Sequence, residues 1–422
     1  MSVILQKFGG TSVADADRIR SVAQRIVRTV EDGHQVVAVV SAMGSSTEEL
    51  RRLAASVSTK PPPRELDMLL SSGERISMAL VAMAIDALGH RAESFTGSQA
   101  GIITDALHGS ARIADVRPTR ILSAMERGTI PIIAGFQGVS EETLDITTLG
   151  KGSSDLTAIA LAAALDAERC EIYTDVDGVY SADPRVEPNA RKLHAVSYEE
   201  MLEMAATGAK VLQARSVELA RNEDVLVHVR SSFEDAEGTF ISKEDVRMRE
   251  KAIISAVTHD ESESKLTLVG VPDRPGVAAS VFRPLAELGA NVDMIVQNVS
   301  HDGRTDISFT VPRLDLDRAT DAIEAISSKI GAEGFTRDDD IARVSLIGAG
   351  MKSHPGVAAD MFEALADAGV NIEMISTSTI RVSCVIRENQ VEQAVRAIHE
   401  RFKLSDEVVL RADHPEAEEP KA

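Results

Sequence analysis

Two kinds of segment alternate through residues 1–240. Residues 34–41 carry an apolar run, Val36-Val37-Ala38-Val39-Val40, that stops at small residues. A short apolar run without polar alternation is the mark of a strand buried on both faces. Residues 129–136 and 170–176 have the same character, and residues 3–8 are strand-like as well. Between these runs, residues 15–30 and 155–165 read as helices. Buried strands alternating with helices predict an α/β unit, a mostly parallel sheet sandwiched by helices. Residues 59–64 contain three consecutive prolines and are a loop.

Past Phe233 the pattern changes, and residues 241–262 read as a linker and a leading strand. Beyond them the chain repeats itself. Pro275-Gly276-Val277-Ala278-Ala279 recurs as Pro355-Gly356-Val357-Ala358-Ala359, and Asn291-Val292-Asp293-Met294-Ile295 recurs as Asn371-Ile372-Glu373-Met374-Ile375. Both matches share one offset. Each copy has a strand, a Pro-Gly turn, a helix and a second strand beginning at Asn. This predicts two ferredoxin-like βαββαβ domains, residues 263–338 and 342–412, made by duplication. The charged residues 413–422 predict a disordered tail.

Composition narrows the picture. A chain of 422 residues exceeds one ordinary core. Its net charge of −21 disfavours nucleic acid and anionic membranes. It still admits an anionic ligand held by backbone N–H groups and a few lysines. Without Trp there is little stacking surface for bases. Cys170 and Cys384 sit in apolar runs and read as reduced core residues. The ten histidines are scattered and no cysteine pair has zinc spacing, so no metal cage is expected. No basic stretch precedes an apolar one, and no apolar run approaches membrane-spanning length. A cytoplasmic location is expected.

Candidate chemistry lies in five turns. Lys7-Phe8-Gly9-Gly10-Thr11-Ser12 follows a strand and precedes a helix. Glycines there admit an anion to backbone N–H groups, and the lysine adds a full charge. The order is not that of a Walker A loop. Ser41-Ala42-Met43-Gly44, with Thr47, follows the next strand, and Ser71-Ser72-Gly73-Glu74-Arg75 opens another helix. Thr148-Leu149-Gly150-Lys151-Gly152-Ser153-Ser154-Asp155 is a third Gly/Ser-rich turn. Thr174-Asp175-Val176-Asp177-Gly178 ends a strand and leads to Tyr180-Ser181-Ala182-Asp183-Pro184-Arg185. One such turn is only a turn. Five at the carboxyl ends of parallel strands point to a phosphorylated ligand and a polar substrate.

In combination these motifs resemble the aspartate kinases of the amino-acid kinase family, from Val3 to about Arg411. The duplicated half is similar to that family's tandem ACT domains. A kinase unit with two ACT domains and no attached dehydrogenase resembles the monofunctional lysine-pathway type. The resemblance implies phosphorylation of the aspartate side chain by ATP with Mg²⁺, the first step towards lysine, threonine and methionine. It also implies feedback by lysine, threonine or both.

The resemblance assigns roles residue by residue. Lys7, Gly9 and Gly10 would contact ATP phosphates, with Ser41 on the next phosphate-side turn, Phe8 also in the ATP site and Asp155 orienting Lys7. Thr174, Asp175, Tyr180, Arg185, Lys210 and Val211 would line the nucleotide pocket. Thr47, Glu74, Lys151, Gly152, Ser153 and Ser154 would hold aspartate, Glu74 through its ammonium. Asp273, Gly276, Asn291, Val292, Asp293 and Gln297 would hold an effector in the first ACT copy, with Asn371 and Glu373 in the second. In the second copy these groups serve equally well as solvated turn residues. ACT domains expose sheet edges, so self-association is expected. Relatives of this type also make a shorter subunit from the C-terminal half. Met248 stands where such a start would fall, and equally reads as a linker residue.

The chain departs from the family where Lys151, Gly152 and Ser153 replace Arg, Gly and Gly. Lys is a point charge where Arg is a two-pronged fork. Ser153 would be strained if that position needs positive φ. Leu156 replaces a hydroxyl residue. Two other functions therefore stay open: a kinase of another acidic amino acid, and a non-catalytic sensor with a decayed kinase fold.

Overall fold

The computed structural model describes residues 2–243, 254–298, 302–349, 351, 354 and 356–406. The chain falls into two units, Met1–Tyr180 with Lys192–Met248, and Ser181–Arg191 with Arg249–Ala422.

In the first unit, Val3–Phe8 lies near the middle of an eight-stranded sheet. Gln35–Val40, Ile130–Ala134 and Ala92–Phe95 follow in that order on one side. Arg169–Thr174, Val227–Ser231, Thr239–Ser242 and Ala195–Ser197 follow on the other. All neighbours are parallel except Val227–Ser231 with Thr239–Ser242. Strand side chains alternate between faces. Gln6 therefore turns towards the Ala16–Glu31 helix, where its amide donates to Thr29. Lys7, of opposite parity, turns towards Ser154–Ala164. The Ala16–Glu31 helix starts where the Asp15 side chain accepts from the Arg18 N–H. It buries Ile19, Val22, Ala23 and Ile26 against Phe8, Val40 and the Ser72–Asp86 helix. These layers match the α/β sandwich expected from the apolar runs.

Pro63–Leu70 and Ser72–Asp86 together are long and apolar enough to cross a membrane, contrary to the expectation that no run approaches that length. Leu70, Val81 and Ile85 are instead buried in this unit. A second, four-stranded sheet in the order Ile113–Val116, Ile102–Thr104, Gln137–Ser140, Ile146–Thr148 was not foreseen. Its strands have only three or four residues, too few to show a period.

The second unit holds two four-stranded antiparallel sheets. The first, Ile295–Gln297, Arg304–Pro312, Glu263–Pro272 and Gly334–Asp338, carries helices Val277–Glu287 and Leu316–Ile330. That is the βαββαβ order. The other copy contributes Ile341–Ile347, Arg381–Arg387 and Met374–Thr377, with helices Val357–Asp367 and Val391–Arg401. Its expected final strand lies outside the described residues. The edge beside Ile341–Ile347 is taken by Ala256–Asp260, from ahead of the first copy, with Ala256 and Val257 buried. The repeated glycines Gly276 and Gly356 have φ +92° and +107°, the left-handed region that explains why Gly recurs before each helix.

Residues 1–240 do not stay together. Ser181–Arg191 belongs to the second unit, because Ala182, Val186 and Ala190 pack into the core around Val391–Arg401. Ser181 Oγ lies 3.0 Å from His399 Nε2, and Arg396 donates to the Val186 carbonyl at 2.9 Å.

Candidate active site

Strand order reverses about Val3–Phe8: the chain next builds Gln35–Val40 on one side and later Arg169–Thr174 on the other. In open α/β sheets, ligands bind beyond the carboxyl ends of strands at such a point. Here those ends are tied together. The Ser41 N–H donates to the Phe8 carbonyl at 3.0 Å, Gly9 N–H to Tyr173 at 3.2 Å, and Gly44 N–H to Gly10 at 3.0 Å. The Ser12 and Ser232 hydroxyls are 2.5 Å apart. A Cβ on Gly10 would meet the Ala42 carbonyl oxygen at 2.9 Å, so only glycine permits this approach.

Into this junction comes the Lys7 ammonium, 2.6 Å from Asp155 Oδ1. Both residues are buried, 8% and 6% exposed. Asp155 sits in the first turn of Ser154–Ala164, where the helix dipole favours a carboxylate. Ser154 is buried beside it, and a Cβ on Gly135 would lie 2.8 Å from its Oγ.

Glu74 stands in the first turn of Ser72–Asp86 and is 3% exposed. The Ala42 N–H donates to its Oε1 at 3.3 Å, while Oε2 is buried with no hydrogen-bond partner. Burial pushes this carboxyl up to about 7. A carboxylate oxygen of this kind calls for a cation. A Cβ on Gly73 would touch the Ala42 Cβ at 2.8 Å, which lets the helix start press this close. Thr47 lies half-buried at the start of Ser46–Val57.

The Thr148–Asp155 turn hangs from Asp67, a fully buried side chain not singled out in the sequence. Asp67 accepts from the Thr148 N–H at 3.1 Å, the Thr148 hydroxyl at 2.6 Å and the Gly109 N–H at 3.1 Å. His108 Nδ1 is 2.8 Å away. Gly150 and Gly152 have φ +95° and +78°, while Ser153 has φ −77°. The left-handed positions are thus the two glycines, and Ser153 carries no such strain. Its hydroxyl donates to the Leu149 carbonyl at 2.8 Å, so it braces the turn. The Lys151 side chain is exposed. Leu156 packs with Ala111 and Leu149, which accounts for an apolar residue at that position. Phe136 adopts φ +69° with its N–H held by Thr157 Oγ1 at 3.2 Å. No sequence signal marks a left-handed phenylalanine.

On the side of Arg169–Thr174, the Thr174 hydroxyl donates to Asp175 at 3.1 Å. The Tyr180 hydroxyl donates to Asp177 at 2.8 Å, and Lys192 Nζ is 3.0 Å from the other oxygen of Asp177. Burial and the adjoining Asp177 push Tyr180 up to about 12. Lys210 is exposed and Val211 half-buried between helices Tyr198–Ala206 and Ala214–Asn222. Arg185 belongs to the second unit and pairs with Asp183 at 2.6 Å. Among the described residues, no three His, Cys, Asp or Glu side chains are placed to hold a metal ion.

In the second unit, Asp273, Arg274, Gly276, Gln297 and Thr305 line a cavity of about 320 Å³ in the first ACT copy. Asn291, Val292 and Asp293 do not line it. Asp293 pairs with the buried Arg343 of the other copy. Reciprocally, Glu373 pairs with Lys265 and, at 2.6 Å, with Arg387. Both acids tie the two copies together around Met294 and Met374. A second cavity, about 490 Å³, is lined by His354, Gly356, Thr377 and Ser378, and by neither Asn371 nor Glu373.

The amino acid kinase family model matches residues 2–231, and ACT domain models match residues 265–329 and 344–402. An aspartokinase of Mycolicibacterium smegmatis is 58% identical over 98% of this chain and 99% of its own. One of Corynebacterium glutamicum is 55% identical over the same shares. The crystal structure of E. coli aspartokinase III in complex with aspartate and ADP, an R-state, aligns with TM-score 0.80 at 25% identity. It covers 94% of this chain and 99% of that one. The same enzyme with lysine and aspartate, a T-state, aligns with TM-score 0.75 at 25% identity, over 95% and 99%. The chain belongs to the aspartokinases of the amino acid kinase family.

Proposed function

We propose that this chain transfers the γ-phosphoryl group of ATP to the side-chain carboxylate of L-aspartate, giving 4-phospho-L-aspartate and ADP. The observation that carries this is the buried Lys7–Asp155 pair, aimed at the joined strand ends. An aspartate carboxylate oxygen attacks the γ-phosphorus, and the bond to the β–γ bridging oxygen breaks. The nucleophile is already an anion, so no general base is needed. What the protein supplies is positioning and charge. Lys7 neutralises the moving phosphoryl oxygens, and Asp155 holds its ammonium in place. Gly9, Gly10 and Ser41 form the close-packed turns against which the phosphates lie, and these arrive with Mg²⁺. Thr174, Asp175, Tyr180, Lys210 and Val211 line the nucleotide side, while the Phe8 side chain is fully buried behind them, stacked on Tyr173. Glu74 receives the substrate ammonium on its unpartnered oxygen, with Thr47 beside it. Lys151 at the exposed turn, with Gly152, Ser153 and Ser154, takes the α-carboxylate.

The second unit senses an end-product amino acid such as lysine or threonine. Asp273 and Gln297, with the Gly276 turn, supply charge and amide groups for it. Ile295 and Ile375 are exposed at matching positions of the two edge strands. That supports self-association, as a homo-oligomer or with a shorter subunit. Met248 lies outside the described residues. The site of action is the cytoplasm.

A hydroxamate assay for acyl phosphate, with aspartate or glutamate and with or without lysine and threonine, tests the whole assignment. Product from aspartate alone is expected. Product from glutamate alone would make this a kinase of another acid, and product from neither would leave only a sensor. Asp273→Ala should relieve effector inhibition with little change in uninhibited turnover, because the effector must favour one global state. Normal inhibition in that variant would move the effector site elsewhere.

A further inference from the structure

Ala214–Asn222 begins at Gln213, which occupies the N-cap position without capping its own helix. Its side-chain amide donates instead to the Lys151 carbonyl. Two residues on, Arg215 donates from Nη1 to the Leu149 carbonyl at 2.8 Å and from Nη2 to the Ala111 carbonyl at 3.1 Å. Both side chains thus hold the Thr148–Asp155 turn by its backbone. The fit is close: a Cβ on Gly152 would lie 2.5 Å from the Gln213 amide nitrogen. On its other side the same turn hangs from the buried Asp67, which accepts from Thr148. One edge of the turn is therefore anchored in the core. The other is held by a segment that immediately follows Lys210-Val211.

We propose that Gln213 and Arg215 are positioning residues that make aspartate binding depend on nucleotide binding. This rests on the assignment of Lys210 and Val211 to the nucleotide and of the Lys151 turn to the aspartate carboxylate. A nucleotide held against Lys210-Val211 fixes the start of the next helix. Its two side chains then fix the Leu149 and Lys151 carbonyls, and with them the left-handed Gly150 and Gly152 that aim Lys151. Neither Gln213 nor Arg215 touches a reacting atom. Their effect falls on how tightly aspartate binds once nucleotide is present. By linkage it falls equally on nucleotide affinity in the presence of aspartate.

The test is calorimetric titration of aspartate into the full chain, with and without saturating ADP. The proteins are wild type, Gln213→Ala, Arg215→Met, the double variant and Arg215→Lys. In the wild type, ADP should tighten aspartate binding about fivefold or more, the lower end of ordinary coupling between sites. In Gln213→Ala and Arg215→Met this ratio should fall, and in the double variant it should approach one. ADP affinity without aspartate should stay within about twofold of wild type, since coupling alone is lost. Arg215→Lys, which keeps one donor, should recover part of the ratio. A double variant that keeps the wild-type ratio, or a wild type with no ratio to lose, overturns the proposal. So does a matching loss of aspartate affinity with and without ADP, because a merely structural role predicts that. Lys151→Ala separates the underlying assignment: unchanged aspartate affinity there refutes the turn as the carboxylate site. Weakened affinity there beside an intact ratio in the double variant refutes only the coupling.

Discussion

Lys7→Ala is expected to lower turnover by roughly a hundred- to a thousandfold, the loss of about 2.7–4 kcal/mol that follows removal of one donor to a developing charge. It has a second effect. Asp155 stays buried without its cation, and breaking a buried pair from one side costs about 3–5 kcal/mol of stability. The two effects separate in the double variant Lys7→Ala/Asp155→Ala, where the orphaned charge is gone. Thermal unfolding should recover towards wild type, and phosphoryl transfer should not. A folded single variant with near-normal acyl-phosphate production would remove Lys7 from the chemistry.

Glu74→Gln should raise the KM for aspartate ten- to a hundredfold, since a hydrogen bond to a buried charge is worth about 1.5–3 kcal/mol. The Ala42 N–H still has an oxygen to bond in the variant, so the fold should hold. Burial raises Glu74 in the fold from 4.5 to about 7. The fold therefore favours the protonated carboxyl. Its stabilising contribution is full below pH 4.5 and is lost as pH rises through 7. At pH 8 the unliganded protein carries a buried, unpaired charge costing about 3 kcal/mol. Glu74→Gln should thus melt higher than wild type at pH 8 without substrate, and the gain should vanish near pH 4.5. On the proposed assignment aspartate brings an ammonium that removes the penalty, so wild-type affinity should weaken as pH falls below 7 while the variant's stays flat. A pH-independent difference in melting would place the Glu74 charge in solvent or against an unseen cation.

Parallel strands at Val36–Val40 and the Pro-Gly repeats were legible in the chain because each depends on local signals. An unbroken apolar run needs two buried faces, and a duplicated turn needs the same glycine twice. The Lys7 and Glu74 turns were legible as turns between a strand and a helix or at a helix start, since glycine and serine mark such places locally. Other features depended on partners far along the chain. Asp67 reads as an ordinary helical acid until Thr148 and Gly109 are brought to it. Ser153 looked like a strained replacement for glycine, yet its backbone sits at φ −77° because Gly150 and Gly152 absorb the left-handed steps.

The sequence by itself determined the α/β sandwich, the duplicated ACT half and the Gly- and Ser-rich turns of the candidate site. Periodicity and turn chemistry are properties of neighbours within a few positions. Only the tertiary structure decided that Ser181–Arg191 joins the second unit and that Ala256–Asp260 completes the second ACT sheet. It alone paired Asp293 with Arg343 and Glu373 with Lys265, away from the cavity lined by Asp273 and Gln297. A charged side chain carries no local mark of its partner. Its role is set by which opposite charge is buried beside it, and that is fixed only when distant strands are laid together.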